Sequence, residues 1–167
     1  MTTQHREWPP RLVPQLSQDL KRLAGDLEDA QRSDSDAVVH LSKLLVIRSV
    51  GFLEQVAVET VRGYLTGKTS GPPLSFSTSW LRGRNPTPDK LEELVSRFGE
   101  TFSAKFADLL DQDDQLVRRE LSFLVDQRNK IAHGLIRGIS TRKALDLMSV
   151  AERTSDWFIS NMNPTRH

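Results

Sequence analysis

The chain has 167 residues, 37% of them apolar and 27% charged, which is the ordinary composition of one globular domain. Its 23 basic and 22 acidic side chains nearly cancel, so net charge does not draw the chain toward nucleic acid, and any basic surface must come from clustering. The absence of cysteine excludes disulfides and thiolate zinc sites and is in keeping with a reducing cytoplasm.

Hydropathy favours a soluble protein with no membrane partner. Residues 1–10 lack the apolar core of a signal peptide, and the longest apolar run, residues 44–47, is far too short to cross a bilayer. We therefore expect a cytoplasmic protein.

The first third of the chain predicts a flexible arm and two helices. Residues 1–10 are mostly polar and form the expected N-terminal arm, with Trp8 available for docking, while residues 11–163 are expected to form one helical domain. Leucines at steps of four and three predict an amphipathic helix over residues 11–31. Residues 36–65 are apolar over more than half of the helical circumference, which is typical of the buried central helix of a bundle. Glu54 falls on that apolar arc.

Residues 66–73 have loop composition, and residues 77–81 form at most a short helix around Trp80. Gly67-Lys68-Thr69 matches part of a phosphate-binding loop, but the first glycine of that motif is absent and a helix precedes it, so we reject this function. Arg82 and Arg84 are either phosphate ligands or, as the composition favours, part of a solvated loop.

The second half of the chain predicts further helices. Thr87 and Pro88 begin a helix, and its apolar stripe continues after a bend at Gly99. An acidic turn at residues 111–114 leads a helix over residues 116–133; we interpret its carboxylates as partners of the helix dipole and not as a cation site. A last helix follows Ser140. Because no two-residue alternation appears, the predicted fold is all-α, an up-and-down bundle of about five to six helices.

The helix over residues 116–133 carries one misplaced charge. Arg128 lies in the middle of its apolar arc, where a guanidinium requires a partner or a second surface. Glu54 is the predicted partner, either as a structural ion pair or as a carboxylate that orients a functional arginine. His133 lies about 140° further around the helix, beside Asn129.

Residues 128–133 read R-N-x-x-x-H, which resembles the R-x4–6-H signature of the HEPN superfamily. The Ala-His-Gly ending at Gly134 is similar to the ribosome-linked and phage-defence branch of that superfamily, RiboL-PSP or MAE-type. The resemblance implies a helical bundle, a homodimer that meets at the motif helix, and a ribonuclease site made of Arg128 and His133. Members that act through, or are silenced by, nucleotidyl transfer have Tyr two residues after the histidine, where this chain has Leu135, so regulation of that kind is not expected.

The motif residues suit RNA cleavage without a metal or other cofactor. The 2′-hydroxyl of RNA would be the nucleophile, and His133 would act as the base that removes its proton. Arg128 would place its positive charge over the phosphate, and Asn129 would orient the phosphate or the imidazole. Glu54 and Lys130 would support the site. Predicted RNA-binding residues on a basic track are Arg118, Arg137, Arg142 and Lys143, with Arg119 nearby. Metal hydrolysis is disfavoured because the four histidines have no ligand-spaced neighbours.

Three functions remain open at this stage. The first is a metal-independent endoribonuclease that cleaves single-stranded RNA and acts as a toxin or anti-phage effector, with an antitoxin as a possible partner. The second is a non-catalytic HEPN module that binds RNA or a partner protein. The third is a structural helical dimer in which His133 and Gly134 only end a helix.

Overall fold

Six helices make up the described part of the chain, and the predicted all-α bundle is confirmed. The computed structural model describes residues 7–79, 81, 85–136 and 138–165. The helices are α1 (Leu12–Arg32), α2 (Val38–Lys68), α3 (Pro72–Ser79), α4 (Pro88–Ser96), α5 (Glu100–Ala132) and α6 (Thr141–Asn161). Within these ranges no helix has the length and apolarity needed to cross a membrane.

The centre of the bundle is the pair α2 and α6. Their C-terminal ends meet where Gly67 lies against Pro164, so the two helices run in the same direction. α1 packs on α2, and α5 packs antiparallel to α6, with Phe106 of α5 against Trp157 near the C-terminal end of α6. α2 buries residues around much of its circumference, as predicted for a central helix. Fully buried side chains of the core include Leu27, Leu45, Leu53, Phe106 and Phe158.

α5 is broken in the middle. The backbone leaves helical geometry at Gln112, and Asp113, Asp114 and Gln115 have φ of 51°, 57° and 59°. The sequence predicted this break as an acidic turn. Arg153 of α6 donates a hydrogen bond to Gln112 over 2.6 Å and has a nitrogen 3.8 Å from a carboxylate oxygen of Asp113. The break separates an N-terminal segment from residues 116–132, which we call the motif segment.

The region after α2 differs from the sequence prediction. α2 continues to Lys68, and α3 begins at Pro72, within the predicted loop, and extends over residues 77–79 of the predicted short helix. Pro72 and Pro73 do not prevent this helix because the first-turn amides of a helix have no intrahelical acceptor, so proline loses nothing there. The predicted short helix around Trp80 falls partly on residues outside the described ranges, as do Arg82 and Arg84.

The N-terminal arm docks through its tryptophan. The Trp8 indole N–H donates to the Ile159 carbonyl over 2.8 Å, and the ring lies on Gly63. A Cβ at residue 63 would stand 2.9 Å from the ring, so glycine makes room for it. Residues 1–6 of the predicted flexible arm lie outside the described ranges.

Candidate functional site

The motif segment buries one side against the core, and the motif residues lie at the edge of that side and beyond it. Val117, Leu121, Leu124 and Val125 are buried. Arg128 projects from the same side and is half-buried, as its position on the apolar arc predicts. Its aliphatic stem can therefore contact apolar neighbours while the guanidinium requires a polar partner.

The partner of Arg128 is Asn85, which sequence reasoning missed. Nη2 of Arg128 donates to Oδ1 of Asn85 over 2.8 Å, and both residues are half-buried. The direct form of the predicted Glu54–Arg128 pair is wrong, because no carboxylate of the described residues lies within ion-pairing distance of this guanidinium. Glu54 is half-buried and lines a small pocket together with Asn85 and Lys90. It therefore belongs to the surroundings of the site without contacting Arg128.

Arg118, ten residues earlier on the motif segment, is paired with carboxylates, whereas Arg128 contacts an amide. Its Nη1 and Nη2 donate to the two carboxylate oxygens of Glu92, each over 2.8 Å, and its Nε donates to Asp111 over 3.1 Å. Hydrogen bonds to Glu92 and then to Asp111 raise the pKa of Arg118 above its usual range despite partial burial. Arg118 ties α4 to α5, so we drop it from the proposed RNA-binding residues.

The other predicted basic residues differ in their surroundings. Lys143 donates to Glu120 over 2.6 Å, and its ammonium lies 4.9 Å from the centre of the Phe123 ring. Lys130 pairs with Asp126 at 2.7 Å on partly exposed surface, where such pairs are weak and a phosphate can compete. Arg142 is exposed in the first turn of α6, and Arg137 lies outside the described residues.

His133 is the C-cap of α5, and backbone bonds make the cap. The Gly134 N–H donates to the Ile131 carbonyl and the Leu135 N–H to the Lys130 carbonyl, the two bonds of a Schellman motif. Gly134 has φ of 68°, which suits glycine. The imidazole of His133 is exposed and forms no hydrogen bond within the described chain. The cap therefore uses the backbone of His133 and leaves its ring unengaged.

A family model for RiboL-PSP-HEPN matches residues 15–158, which includes the motif and most of the bundle. The chain belongs to the RiboL-PSP-HEPN family. No curated protein and no solved structure gives a match.

The HEPN motif is therefore placed on the end of a long, well-anchored helix. Arg128 is fixed at a half-buried position, while His133 lies roughly 7.5 Å further along the axis and about 140° around it. Asn129, also half-buried, projects between them, about 100° from Arg128 and about 40° from His133, and its carbonyl accepts the His133 N–H. In one protomer the guanidinium and the imidazole therefore leave the helix on different sides.

Proposed function

We propose that this HEPN protein is a metal-independent endoribonuclease that cleaves single-stranded RNA. Arg128 would bind the scissile phosphate, Asn129 would orient it, and His133 would move the proton. Lys130 would support the site, and Arg137, Arg142 and Lys143 would contact neighbouring phosphates. Among the three functions considered from the sequence, this one makes use of both unusual features of the motif, the half-buried cation and the unengaged imidazole.

The observation that carries the proposal is the surroundings of Arg128. A half-buried guanidinium normally pairs with a carboxylate, as Arg118 does on the same segment. Arg128 instead bonds to a neutral amide, and no carboxylate of the described residues is paired with its charge. An anion that reaches it gains a charge-assisted, bidentate interaction of the kind that arginine makes with phosphate.

The proposed reaction needs one base, one acid and one cation. His133 takes the proton of the 2′-hydroxyl, the 2′-oxygen bonds to phosphorus, and the bond from phosphorus to the 5′-oxygen breaks. The leaving 5′-oxygen receives a proton from a second, protonated His133 or from water. The products are a 2′,3′-cyclic phosphate and a 5′-hydroxyl, and Arg128 stabilises the charge that grows on the phosphate oxygens. DNA lacks the nucleophile and should not react.

A homodimer explains how the separated side chains would act together. Because Arg128 and His133 leave one helix about 140° apart, a second copy related by a two-fold axis would place its own motif opposite the first. The cleft would then contain two arginines and two histidines. We propose that such a dimer works in the cytoplasm as a toxin or anti-phage effector; the identity of an antitoxin stays open.

The decisive experiment is RNA cleavage in the presence of EDTA. The wild-type protein is expected to cleave a labelled single-stranded RNA and leave the matched DNA intact, with cyclic-phosphate ends seen by mass spectrometry. Arg128→Ala and His133→Ala should each lose at least about a hundredfold in rate, the usual contribution of such groups.

Stability separates catalysis from a structural role in the same variants. His133→Ala should change the free energy of unfolding by less than about 0.5 kcal/mol, since the cap uses only backbone groups and the ring is exposed. Loss of cleavage in a His133→Ala protein of unchanged stability supports the enzyme. Unchanged cleavage in that variant would refute it.

The second candidate is a non-catalytic HEPN module that binds RNA or a protein through the same surface. The different directions of Arg128 and His133 within one protomer favour it if the chain is monomeric. Its signature is binding of single-stranded RNA that Arg128→Ala weakens, without cleavage by the wild-type protein.

A further inference from the structure

We infer that Asn85 is a positioning residue for Arg128, holding the guanidinium ready for a phosphate without neutralising it. The inference rests on the proposed function, in which Arg128 binds phosphate. It adds to the motif a residue that lies 43 positions earlier in the chain, in the connection that precedes α4.

Local sequence fixes the position of Asn85. The residue precedes Pro86, which restricts the Asn85 backbone to extended conformations. Pro86 and Pro88 are both buried, so the segment is anchored on each side of Thr87. The Thr87 N–H donates to the Asn85 carbonyl over 2.8 Å, and the Thr87 hydroxyl caps α4 by accepting the Lys90 N–H. The Asn85 amide therefore extends from a well-defined backbone.

The helix that follows Asn85, α4, is tied to the helix that carries Arg128, α5. Glu92 of α4 holds Arg118 of α5 with two hydrogen bonds of 2.8 Å, and Leu91, Leu94 and Val95 bury the inner side of α4. A hydrogen bond between two side chains costs less conformational entropy when the backbones that carry them are already ordered.

An amide is suited to this role because it accepts a hydrogen bond without supplying a negative charge. Asn85 uses one acceptor for one of the five N–H donors of Arg128, and the remaining donors stay available. A carboxylate at residue 85 would form an ion pair and compete with phosphate for the guanidinium. Arg118, held by two carboxylates, illustrates that outcome on the same segment.

Asn85→Asp tests this inference because it should maintain or raise the melting temperature while lowering the affinity for RNA. The ion pair that the new carboxylate forms with Arg128 should leave the melting temperature equal to or above that of the wild type. The affinity for a single-stranded 2′-O-methyl RNA, which cannot be cleaved, should fall by about tenfold. Asn85→Ala should lower the melting temperature. A residue that is only structural would lower stability in both variants.

Two controls make the result specific to Arg128. Asn163→Asp has the same change of charge, and because its Oδ1 accepts from the amide and hydroxyl of Thr165, Asp preserves the contact; this variant should bind like the wild type. In an Arg128→Ala background, Asn85→Asp should have no further effect on affinity. Wild-type affinity in Asn85→Asp, or an equal loss in the Arg128→Ala background, would overturn the inference.

Parallel cleavage assays separate this inference from the proposed function. If the wild-type protein fails to cleave RNA while Asn85→Asp still weakens binding through Arg128, the ribonuclease is rejected and the positioning role is kept. If the wild-type protein cleaves RNA and Asn85→Asp cleaves and binds equally well, only the positioning role is rejected.

Discussion

Arg118 and Arg128 are chemically identical, and their neighbours give them different uses. Arg118 is shared between Glu92 and Asp111 and joins two helices. Arg128 contacts the neutral Asn85 and keeps the capacity to bind an anion. Both arginines are half-buried, so the charge of the partner distinguishes them and the degree of burial does not.

Glu152 offers a test of residue-scale electrostatics away from the motif. It is half-buried on α6, and desolvation raises the pKa of its carboxyl; Lys21 lowers it and Asp156 raises it. Burial disfavours the charged carboxylate, so the folded state is more stable when Glu152 is protonated. This contribution to the free energy of unfolding is lost as pH rises through the raised pKa of Glu152. Glu152→Gln should therefore increase the free energy of unfolding at neutral pH.

The pH dependence provides the check. Well below the ordinary value of 4.5, Glu152 is protonated in both the folded and the unfolded state, so the advantage of Glu152→Gln should disappear. Urea denaturation at neutral and at acidic pH measures the difference. Glu28→Gln, at an exposed position of α1, serves as the control and should change stability by less than about 0.5 kcal/mol at either pH. Equal gains at both pH values would contradict the assignment.

At the scale of single elements, the end of α5 depends on one glycine. Gly134 has a φ of 68°, and its amide donates to the Ile131 carbonyl in the cap that positions His133. Any residue with a Cβ is strained in this left-handed conformation, by roughly 1–2 kcal/mol. Gly134→Ala should therefore lower the free energy of unfolding by about 1 kcal/mol, and Gly134→Asn should cost less, because asparagine tolerates this conformation.

Chemical denaturation measures these costs, and Gly25→Ala on α1 is the control. Nothing lies within 4 Å of a Cβ placed at residue 25, and alanine has the higher helix propensity, so this variant should be at least as stable as the wild type. If Gly134→Ala were as stable as the wild type, the left-handed cap and the placement of His133 derived from it would be wrong.

Elements differ in how well the sequence predicts them. The break in α5 was predictable because acidic residues cluster between two apolar stripes, and the cap of α4 was predictable from Thr87 and Pro88. α3 was not predicted, because Gly and Pro dominated the local pattern, although proline is tolerated in the first turn of a helix. The position of Arg128 on an apolar arc followed from helical periodicity. The hydrogen bond between Arg128 and Asn85 could not be predicted, because the two residues are 43 positions apart and no local sequence pattern indicates such a contact.

At the scale of the whole molecule, the matter to resolve is whether one protomer contains a complete site. Arg128 and His133 are separated by about 140° around the motif segment, so their Cα–Cβ bonds point in different directions from one helix. The family match to RiboL-PSP-HEPN covers the bundle, and the proposed two-fold dimer would bring the missing half of the site.

Mixing two inactive variants tests this arrangement directly. Arg128→Ala keeps its histidine and His133→Ala keeps its arginine, so a mixed dimer has one of each on opposite protomers. If the site is shared, mixing the two proteins after mild dissociation and reassociation should restore RNA cleavage, which neither protein shows alone. Differently tagged chains, purified in sequence through both tags, verify that mixed dimers formed. Mixed dimers without cleavage, beside an active wild type, would contradict a site in which one arginine and one histidine from opposite protomers are sufficient.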